Sequence, residues 1–521
     1  MQSVTEDTKI RSGHQIFNLT ISLNHMSASI ERCNLAPDLS ISRILTGLWQ
    51  IGDMEKNNQK LDHKATSAAM TSYVNAGFTT FDMADHYGTS EEIAGQFKNE
   101  KISGSEVQLF TKWVPKPGIQ TRESVRSAVQ LSLDRMKSDR LDLLQFHVWN
   151  YADPIWLDCL KWLQELKEEG LIRHLGLTNV DTAHLKVALQ SGIEIVSNQV
   201  CFSLLDQRAG KEMTELCLTH GVRLLAFGTL AGGFLTERWL NKPDPGLKGL
   251  GTWSQQKYWR YIREVGGWGK FQNILQVMNK VAKKHYISIA NVACRYMLEQ
   301  PAVAGIIVGA RLGESEHIQD NLRLFQFSLD QTSKTEIKGT LEKLQIIPGD
   351  CGDEYRKPPF LTATGDLSDH LESIPSPYKV QSGLNGRNRI LTGTHWEGIA
   401  GYSRAVSRGN QVWISGTTAS HGDLLIGGDD PAAQTHFVID KIEGVLQSFG
   451  GKLEDVIRTR VYVQNLADTE LIARAHGERF QSILPANTFV QASLVGKKFL
   501  VEIDVDAILE GDNVPISGKD Q

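Results

Sequence analysis

Short apolar runs recur along the chain from residue 42 to about residue 345. The runs are apolar almost throughout, which is typical of parallel strands buried on both faces of a sheet. The pattern predicts eight strands, at residues 42–49, 79–84, 107–113, 141–149, 174–179, 195–202, 222–229 and 304–310.

Apolar residues recur at helical spacing between these runs. In residues 154–170, leucines stand at every third position from Leu157 to Leu166, and Gly170 ends the pattern. Eight strands, each followed by a helix, predict an α/β fold of the (β/α)8 TIM barrel type. The alternative is a doubly wound sheet, which usually carries a GxGxxG turn after its first strand. The segment LTGLWQIGDM, residues 45–54, is not such a turn.

The pattern changes after residue 345. Residues 346–385 are rich in Pro, Gly, Ser and acidic residues and lack periodicity, so we predict a linker. Strand-like runs and one helical stripe follow, and residues 499–509 alternate apolar with acidic side chains. We therefore predict a barrel domain over 36–345 and a smaller α+β domain over 386–510. The polar residues 1–35 are predicted to be a flexible lead-in, and residues 511–521 a tail.

Composition narrows the classes of function. The chain has 521 residues, 22% of them charged, with a formal net charge of -5 and no block of Lys and Arg. This argues against nucleic acid or an anionic membrane as the main partner. No apolar run reaches the ~20 residues that span a bilayer, and the N-terminus lacks the apolar core of a secretory signal. Six scattered cysteines without a CxxC motif indicate free thiols, a cytoplasmic location and no metal site.

Polar residues with complementary chemistry end three of the predicted strands. In a (β/α)8 barrel, catalytic groups lie at the C-terminal ends of the strands. The second strand ends in Asp82 and Tyr87, the third in Lys112 and the fourth in His147. An ammonium lowers the pKa of a nearby phenol, a carboxylate holds the ammonium, and a histidine can orient a substrate oxygen. We predict that these four side chains share one pocket.

Five motifs resemble the aldo-keto reductase superfamily in order along the chain: FDMADHYG, FTKW, LLQFHVW, IRHLGLTN and LLAFGTLAGGFLT. The resemblance implies a catalytic tetrad of Asp82, Tyr87, Lys112 and His147. It also implies NADPH bound extended at the barrel mouth, hydride transfer to a carbonyl carbon, and protonation of the oxygen by the tyrosine. The implied cofactor-binding residues are Asn179, Gln199, Phe227, Thr229, Leu230, Gly232, Gly309, Arg311 and Asn321. Trp49, Trp113 and Trp149 are expected to line the substrate pocket.

Several positions depart from the family pattern. The family often has a second basic residue near the 2'-phosphate, and the residue at that position is His317 here. NADPH is favoured over NADH. Asp85 and His86 lie outside the tetrad and are interpreted either as residues of the rim or as residues that support the tetrad from behind. The insertion at 241–271 carries Trp253, Trp259 and Trp268. These indoles either line a lid over a bulky substrate or pack the insertion onto the barrel.

The second domain resembles the RidA/YjgF family in GYSRAV, VWISGTTA, GGKLEDVIRTRVYV, ILPANTFVQ and LVEIDVDA. The resemblance implies a trimer with clefts between subunits and hydrolysis of enamines and imines. The arginine that grips the substrate carboxylate in that family is Asn487 here, and an amide cannot supply a bidentate charged clamp. The other implied cleft positions are Tyr402, Ser415 and Glu502.

The sequence thus predicts an NADPH-dependent carbonyl reductase acting on a small-molecule substrate. The RidA-like domain is expected to serve trimer formation or ligand binding. Two alternatives remain. One is a regulatory protein that keeps NADPH as a redox sensor. The other is an enzyme whose main activity lies in the second domain and acts on an imine or enamine.

Overall fold

A computed structural model of the chain describes residues 30–56, 59–100, 106–356 and 367–510. Two antiparallel strands come first, β1 (Arg32–Ala36) and β2 (Leu39–Ser42). Their apolar side chains, among them Leu39 and Ile41, pack with Phe110 of the barrel. The hairpin therefore lies on the barrel, and most of β1 falls within the range 1–35 that was predicted to be a flexible lead-in. Residues 1–29 and the predicted tail lie outside the described residues.

Eight parallel strands close into a barrel, which confirms the predicted fold. The strands follow each other round the barrel in chain order, and the last pairs with the first. Each predicted apolar run overlaps one strand. The strands are β3 (Ile44–Gly47), β4 (Thr80–Asp82), β5 (Gln108–Trp113), β6 (Leu141–His147), β7 (Ile172–Thr178), β8 (Ser197–Cys201), β9 (Arg223–Phe227) and β10 (Val303–Gly309).

Helices cover the outside of the barrel. In the helix that follows β6, the leucines of the predicted stripe are all buried against the sheet. The helices are α1 (Trp49–Lys56), α2 (His63–Asn75), α3 (Ser90–Asn99), α4 (Arg122–Met136), α5 (Ile155–Glu168), α6 (Thr182–Gln190), α7 (Glu212–His220), α8 (Trp253–Glu264), α9 (Trp268–His285), α10 (Ile289–Leu298), α11 (Ile318–Arg323) and α12 (Gln331–Leu341).

The segment after the barrel differs from the predicted linker. Residues 350–356, which include the short helix α13 (Asp353–Arg356), fold into the mouth of the barrel. Glu354 is fully buried there and pairs with Arg208 at 2.9 Å. Contacts with residues far away in the chain determine where this segment lies. Such contacts leave no periodic pattern in the sequence, so the segment resembled a linker.

The main sheet of the second domain has seven strands and is covered on one face by two long helices, and two further short strands pair separately. The sheet begins at Val380, inside the predicted linker, and its strands lie in the order 380–382, 387–390, 405–408, 411–418, 501–508, 456–463 and 486–491. In the strand at residues 501–508, Val501, Ile503, Val505 and Ala507 are buried and the acidic residues between them face away, as predicted. The elements are β11 (Val380–Ser382), β12 (Arg387–Ile390), α14 (His395–Ala400), β13 (Ala405–Arg408), β14 (Gln411–Thr418), β15 (Ser420–His421), β16 (Leu424–Leu425), α15 (Pro431–Ser448), β17 (Val456–Val463), α16 (Thr469–Phe480), β18 (Ala486–Gln491) and β19 (Val501–Ile508).

The two domains contact each other directly. Helix α15 packs against α6 of the barrel. His184 of α6 forms a hydrogen bond of 3.0 Å with Asp440 of α15. A second ionisable pair, His421 with Asp158 at 2.7 Å, joins β15 to α5. Within the described ranges, no helix is long and apolar enough to cross a bilayer.

Candidate active site

A cavity of about 580 Å³ opens at the C-terminal ends of the barrel strands. It brings together all four predicted tetrad residues and all nine predicted cofactor-binding residues. Trp49 and Trp149 also line it, as do the rim residue His86 and several residues that the sequence did not single out. The strand ends meet here because parallel strands in a barrel share one direction.

Lys112 and Asp82 form a buried ion pair on the floor of the cavity. The Lys112 ammonium lies 2.6 Å from the carboxylate, and both side chains are 4% exposed. The ammonium also donates to the carbonyl oxygen of Met83 at 2.8 Å. Burial lowers the pKa of Lys112, and the charge of Asp82 opposes that shift. The ion pair therefore fixes a positively charged ammonium on the cavity floor.

Tyr87 lies above this ion pair. The Lys112 ammonium is 4.9 Å from the centroid of the Tyr87 ring. Trp49 packs edge-on against the same ring, with centroids 4.9 Å apart. The neighbouring His86 bonds Asp85 at 2.9 Å, and Asp85 accepts from the backbone N–H of Val114 at 3.1 Å. Asp85 thus anchors the loop that carries Tyr87, while the phenol itself faces the cavity.

His147 presents an unused hydrogen-bonding atom to the cavity. Its side chain is 2% exposed, and its Nε2 meets no hydrogen-bond partner within the described part of the chain. Burial, and after it the charge of Arg356, holds the pKa of His147 well below the ordinary value. The imidazole is therefore neutral at physiological pH and able to hydrogen-bond an oxygen placed beside Tyr87.

Asn179 directly follows β7, and Gln199 lies in the middle of β8. Asn179 has a left-handed backbone, with φ of 57°, and its buried Oδ1 finds no partner among the described residues. Such an orphaned acceptor suits the N–H of a carboxamide. The Gln199 amide instead donates to Asp82 and to Gln145, at 2.8 Å each. Asn179 thus fits the predicted contact with a nicotinamide better than Gln199 does.

Helix α8 of the insertion closes one side of the cavity. Trp253 and Lys257 line it, and the backbone of Ser254 packs directly on Gly232 in the loop after β9. Trp259 instead bonds Asp244 within the insertion, at 2.8 Å. Trp268 packs against phenylalanines, among them Phe234 at 5.9 Å between ring centroids. The three indoles therefore divide between the two expected roles: one faces the cavity and two pack the insertion.

Lys257 and Tyr355 are cavity residues that sequence reasoning missed. The Lys257 ammonium donates to the Tyr355 phenol at 2.6 Å and lies 5.7 Å from the Phe227 ring centroid. Neither residue follows a barrel strand directly, so the strand-end rule could not find them. The many aromatics in the insertion were the one signal that this segment covers the mouth.

Trp113 corrects one of the predicted substrate contacts. It does not line the cavity; its indole stacks on Phe146, with centroids 5.1 Å apart, in the layer between sheet and helices. Successive residues of a strand point to opposite faces. Because Lys112 faces the cavity, Trp113 faces outward.

Arg311 lies where an adenosine phosphate is expected, but it already has two partners. It pairs with the buried Asp53 at 3.1 Å and with Glu314 at 3.2 Å, and its side chain is 34% exposed. Asn321 and His317 line the same end of the cavity. The positive charge of this guanidinium is therefore already balanced by two carboxylates.

In the second domain, three of the four predicted cleft residues lie around Arg404. Its guanidinium donates to the carbonyl oxygen of Ser415 and the hydroxyl of Tyr402, at 3.4 Å each. Burial raises the pKa of Glu502, and Arg404 opposes that shift. Asn487 lies instead on β18, at the edge of the sheet, and donates to the Thr459 hydroxyl at 2.7 Å.

Comparison with known proteins finds a family match for each of the two domains. Residues 43–342 match the family model described as "Aldo/keto reductase family", and residues 392–509 match "Endoribonuclease L-PSP". An uncharacterised oxidoreductase of Bacillus subtilis is 30% identical over 300 residues, 55% of this chain and 88% of the relative. The NADH-specific methylglyoxal reductase of Escherichia coli is 26% identical over 330 residues, 59% and 97% of the two chains.

The second domain and the barrel fold have relatives of their own. An uncharacterised protein of Streptomyces coelicolor is 38% identical over 120 residues, 23% of this chain and 90% of that protein. The solved structure of a glycerol dehydrogenase from Gluconobacter oxydans matches with a TM-score of 0.50 and 22% identity, over 62% of this chain and 98% of its own. The chain therefore belongs to the aldo/keto reductase family of nicotinamide-dependent oxidoreductases, and a RidA/YjgF (L-PSP) domain follows its barrel.

Proposed function

We propose that the barrel is a carbonyl reductase that converts an aldehyde or ketone to an alcohol with NADPH. The observation that carries this proposal is the convergence of Tyr87, the Lys112–Asp82 pair and the unpartnered Nε2 of His147 in one cavity. A redox sensor needs to bind the cofactor, but it does not need an acid and an oxygen-binding group side by side.

The side chains divide the reaction between them. The nicotinamide supplies the hydride when it is bound. His147, with its proton on Nε2, and the Tyr87 hydroxyl donate hydrogen bonds to the carbonyl oxygen, and Tyr87 then gives that oxygen its proton. The Lys112 ammonium stabilises the phenolate that remains, and Asp82 holds the ammonium in place. Trp49, Trp149 and Trp253 give the substrate side an apolar surface that excludes water.

We propose NADPH as the preferred cofactor, with Arg311 meeting the 2'-phosphate. Asp53 and Glu314 already neutralise this guanidinium, and the Escherichia coli relative is named as NADH-specific. A phosphate must therefore displace Glu314, the more exposed of the two carboxylates. NADH preference follows if both carboxylates stay in place.

We propose that the second domain forms trimers and supplies a ligand-binding cleft, with the barrel carrying the main activity. The sheet face opposite α15 exposes Trp413, which is 44% exposed between two buried neighbours in β14. An exposed indole on an open sheet face suits contact with another subunit.

The test is a screen of aldehydes and ketones with NADPH and with NADH, followed by loss of the reduced nicotinamide absorbance. Multiple turnovers with at least one carbonyl class support the reductase. Tight cofactor binding with a single, slow oxidation across all classes would instead support the redox sensor.

A further inference from the structure

The side chain of Arg356 joins the ends of two catalytic strands. Its guanidinium donates to the carbonyl oxygen of Val148, which follows β6, at 3.0 Å, and to that of Asn179, which follows β7, at 2.7 Å. It also donates to the carbonyl oxygen of Cys351 in its own segment, at 3.1 Å. Arg356 comes from α13, outside the repeating units of the barrel, and reaches the strands that carry His147 and Asn179.

Asn179 is a residue whose position depends on outside support. Its φ of 57° lies in the left-handed region, which asparagine adopts more readily than other residues with a side chain but which is still uncommon outside glycine. A Cβ built on Gly352 would stand 2.0 Å from the Asn179 carbonyl oxygen. Segment 350–356 therefore packs against this carbonyl as closely as a glycine permits. The hydrogen bond from Arg356 holds the same oxygen.

Arg356 is in turn connected to the second domain. Its guanidinium lies 4.4 Å from the centroid of the Tyr151 ring, and Tyr151 stacks on His184 with centroids 3.4 Å apart and planes at 5°. His184 Nδ1 bonds Asp181 at 2.6 Å, and its Nε2 bonds Asp440 of α15 at 3.0 Å. A continuous line of contacts thus runs from the second domain to the carbonyl of Asn179.

We propose that Arg356 is a positioning residue for Asn179, and that the second domain holds it through Asp440, His184 and Tyr151. The inference rests on the proposed function, in which the unpartnered Oδ1 of Asn179 accepts a hydrogen bond from the carboxamide of the nicotinamide. It assigns the second domain a role in the reductase site that neither family match describes. Loosening the contact at Asp440 then weakens cofactor binding, although Asp440 does not line the active-site cavity.

A second interdomain pair, more exposed than His184 and Asp440, serves as a control for domain contact as such. Asp158 bonds His421 across the same pair of domains, at 2.7 Å. Within the described residues, neither member of this pair forms a hydrogen bond or an ion pair with Arg356 or Asn179. Asp440→Asn and Asp158→Asn each neutralise one carboxylate of an interdomain pair. Only Asp440 belongs to the series of contacts that leads to Arg356.

The experiment measures the NADPH dissociation constant by fluorescence titration of the full-length protein. Arg356→Lys, Asp440→Asn, their double variant and Asp158→Asn are compared with wild type. We expect Arg356→Lys and Asp440→Asn each to weaken NADPH by about tenfold, within the range usual for coupled sites. The double variant should be no weaker than Arg356→Lys, since both act through one path. Asp158→Asn should stay near wild type.

A cofactor analogue separates positioning from general loosening. The 3-acetylpyridine analogue of NADPH lacks the carboxamide N–H that Asn179 accepts. The losses caused by Arg356→Lys and Asp440→Asn should therefore shrink with this analogue. Equal losses with both cofactors, or equal effects of Asp440→Asn and Asp158→Asn, would overturn the inference. If Arg356→Lys fails to fold, Asp440→Asn still decides it. Failure of wild type to bind any nicotinamide would overturn the proposed function itself.

Discussion

Lys257 donates a hydrogen bond of 2.6 Å to the phenol oxygen of Tyr355. Lys257 belongs to the insertion helix α8, and Tyr355 belongs to α13 after the barrel. The Tyr355 ring also meets His147 edge-on, with centroids 5.7 Å apart. Two segments outside the repeating strand–helix units therefore meet at the C-terminal ends of the barrel strands, and both line the cavity there.

Glu354 ties α13 to the barrel, so its loss should destabilise the protein. Its carboxylate pairs with Arg208, and the two side chains are 0% and 3% exposed. Removing one partner of a buried pair costs about 3–5 kcal/mol. Asp206 still pairs with Arg208, so we expect Glu354→Ala to cost about 3 kcal/mol in urea denaturation. Glu342→Ala, on an exposed pair, should cost less than about 1 kcal/mol; similar losses for both would contradict this.

Tyr87→Phe should slow the chemical step without changing cofactor affinity. The substitution removes the proton donor and keeps the ring that packs on Trp49. General acid catalysis typically contributes ~10²–10⁴-fold, so kcat should fall by about that factor. Lys112→Met should act similarly, because it removes the charge beside the phenol. Steady-state kinetics and NADPH titration check both, with Tyr286→Phe, at a 91% exposed position, as the control. Undiminished turnover in Tyr87→Phe would rule out this tyrosine as the acid.

Cofactor preference should depend on both Arg311 and Glu314. A charged hydrogen bond to the 2'-phosphate is worth ~1.5–3 kcal/mol, or roughly 10- to 150-fold in affinity. Arg311→Ala should therefore weaken NADPH much more than NADH. Glu314→Gln removes one of the carboxylates that compete for the guanidinium, so it should favour NADPH. Dissociation constants for both cofactors decide the matter. Equal losses for NADPH and NADH in Arg311→Ala would show that the phosphate is held elsewhere.

The sequence predicted the barrel because its strands are buried on both faces and leave continuous apolar runs. The same rule located Asp82, Lys112 and His147, since a strand end in a parallel barrel faces the mouth. It could not separate Lys112 from Trp113, which needs the direction of each side chain. Strand alternation would have given that direction once Lys112 was taken to face the cavity.

The contribution of residues 350–356 could not be predicted from the sequence. Tyr355 and Arg356 act through contacts with residues far away in the chain, and a segment of seven residues shows no period. One partner of Arg311 was hidden for the same reason, because Asp53 lies 258 positions away. Local pattern reveals repeated elements, whereas single long-range contacts emerge only from the folded chain.

The His184 network should make stability depend on pH in a defined direction. Burial alone would lower the pKa of His184, but Asp181 and Asp440 outweigh it and raise that pKa from 6.5 to about 9. A raised pKa stabilises the fold fully below the unfolded value and loses that effect as pH rises through about 9. The shift corresponds to roughly 3 kcal/mol.

The measurement is the free energy of unfolding at several pH values between about 6 and 9.5, spanning the ordinary and the raised pKa of His184. Wild type should lose stability across this window, and His184→Gln should lose the part of the slope that His184 causes. His220→Gln, at an exposed position, should keep the wild-type slope. The carboxylates act at the other end, because the pKa of Asp440 is lowered and its contribution is lost in acid. A wild-type slope in His184→Gln would show that the imidazole is not charged in the folded protein.

Asn487→Arg tests whether the second domain lacks imine hydrolysis only because it lacks a charged clamp. The amide of Asn487 donates to Thr459 and cannot grip a carboxylate with two charged hydrogen bonds. We expect wild type to release ammonia from 2-iminobutyrate-type substrates near the background rate. Restoring a charged clamp worth ~1.5–3 kcal/mol should raise the rate roughly 10- to 150-fold. Thr488→Arg adds the same charge on the opposite face of β18 and should have no effect. Hydrolysis by wild type well above background, unchanged in Asn487→Ala, would mean that the cleft works without this position and that the second domain is itself an enzyme.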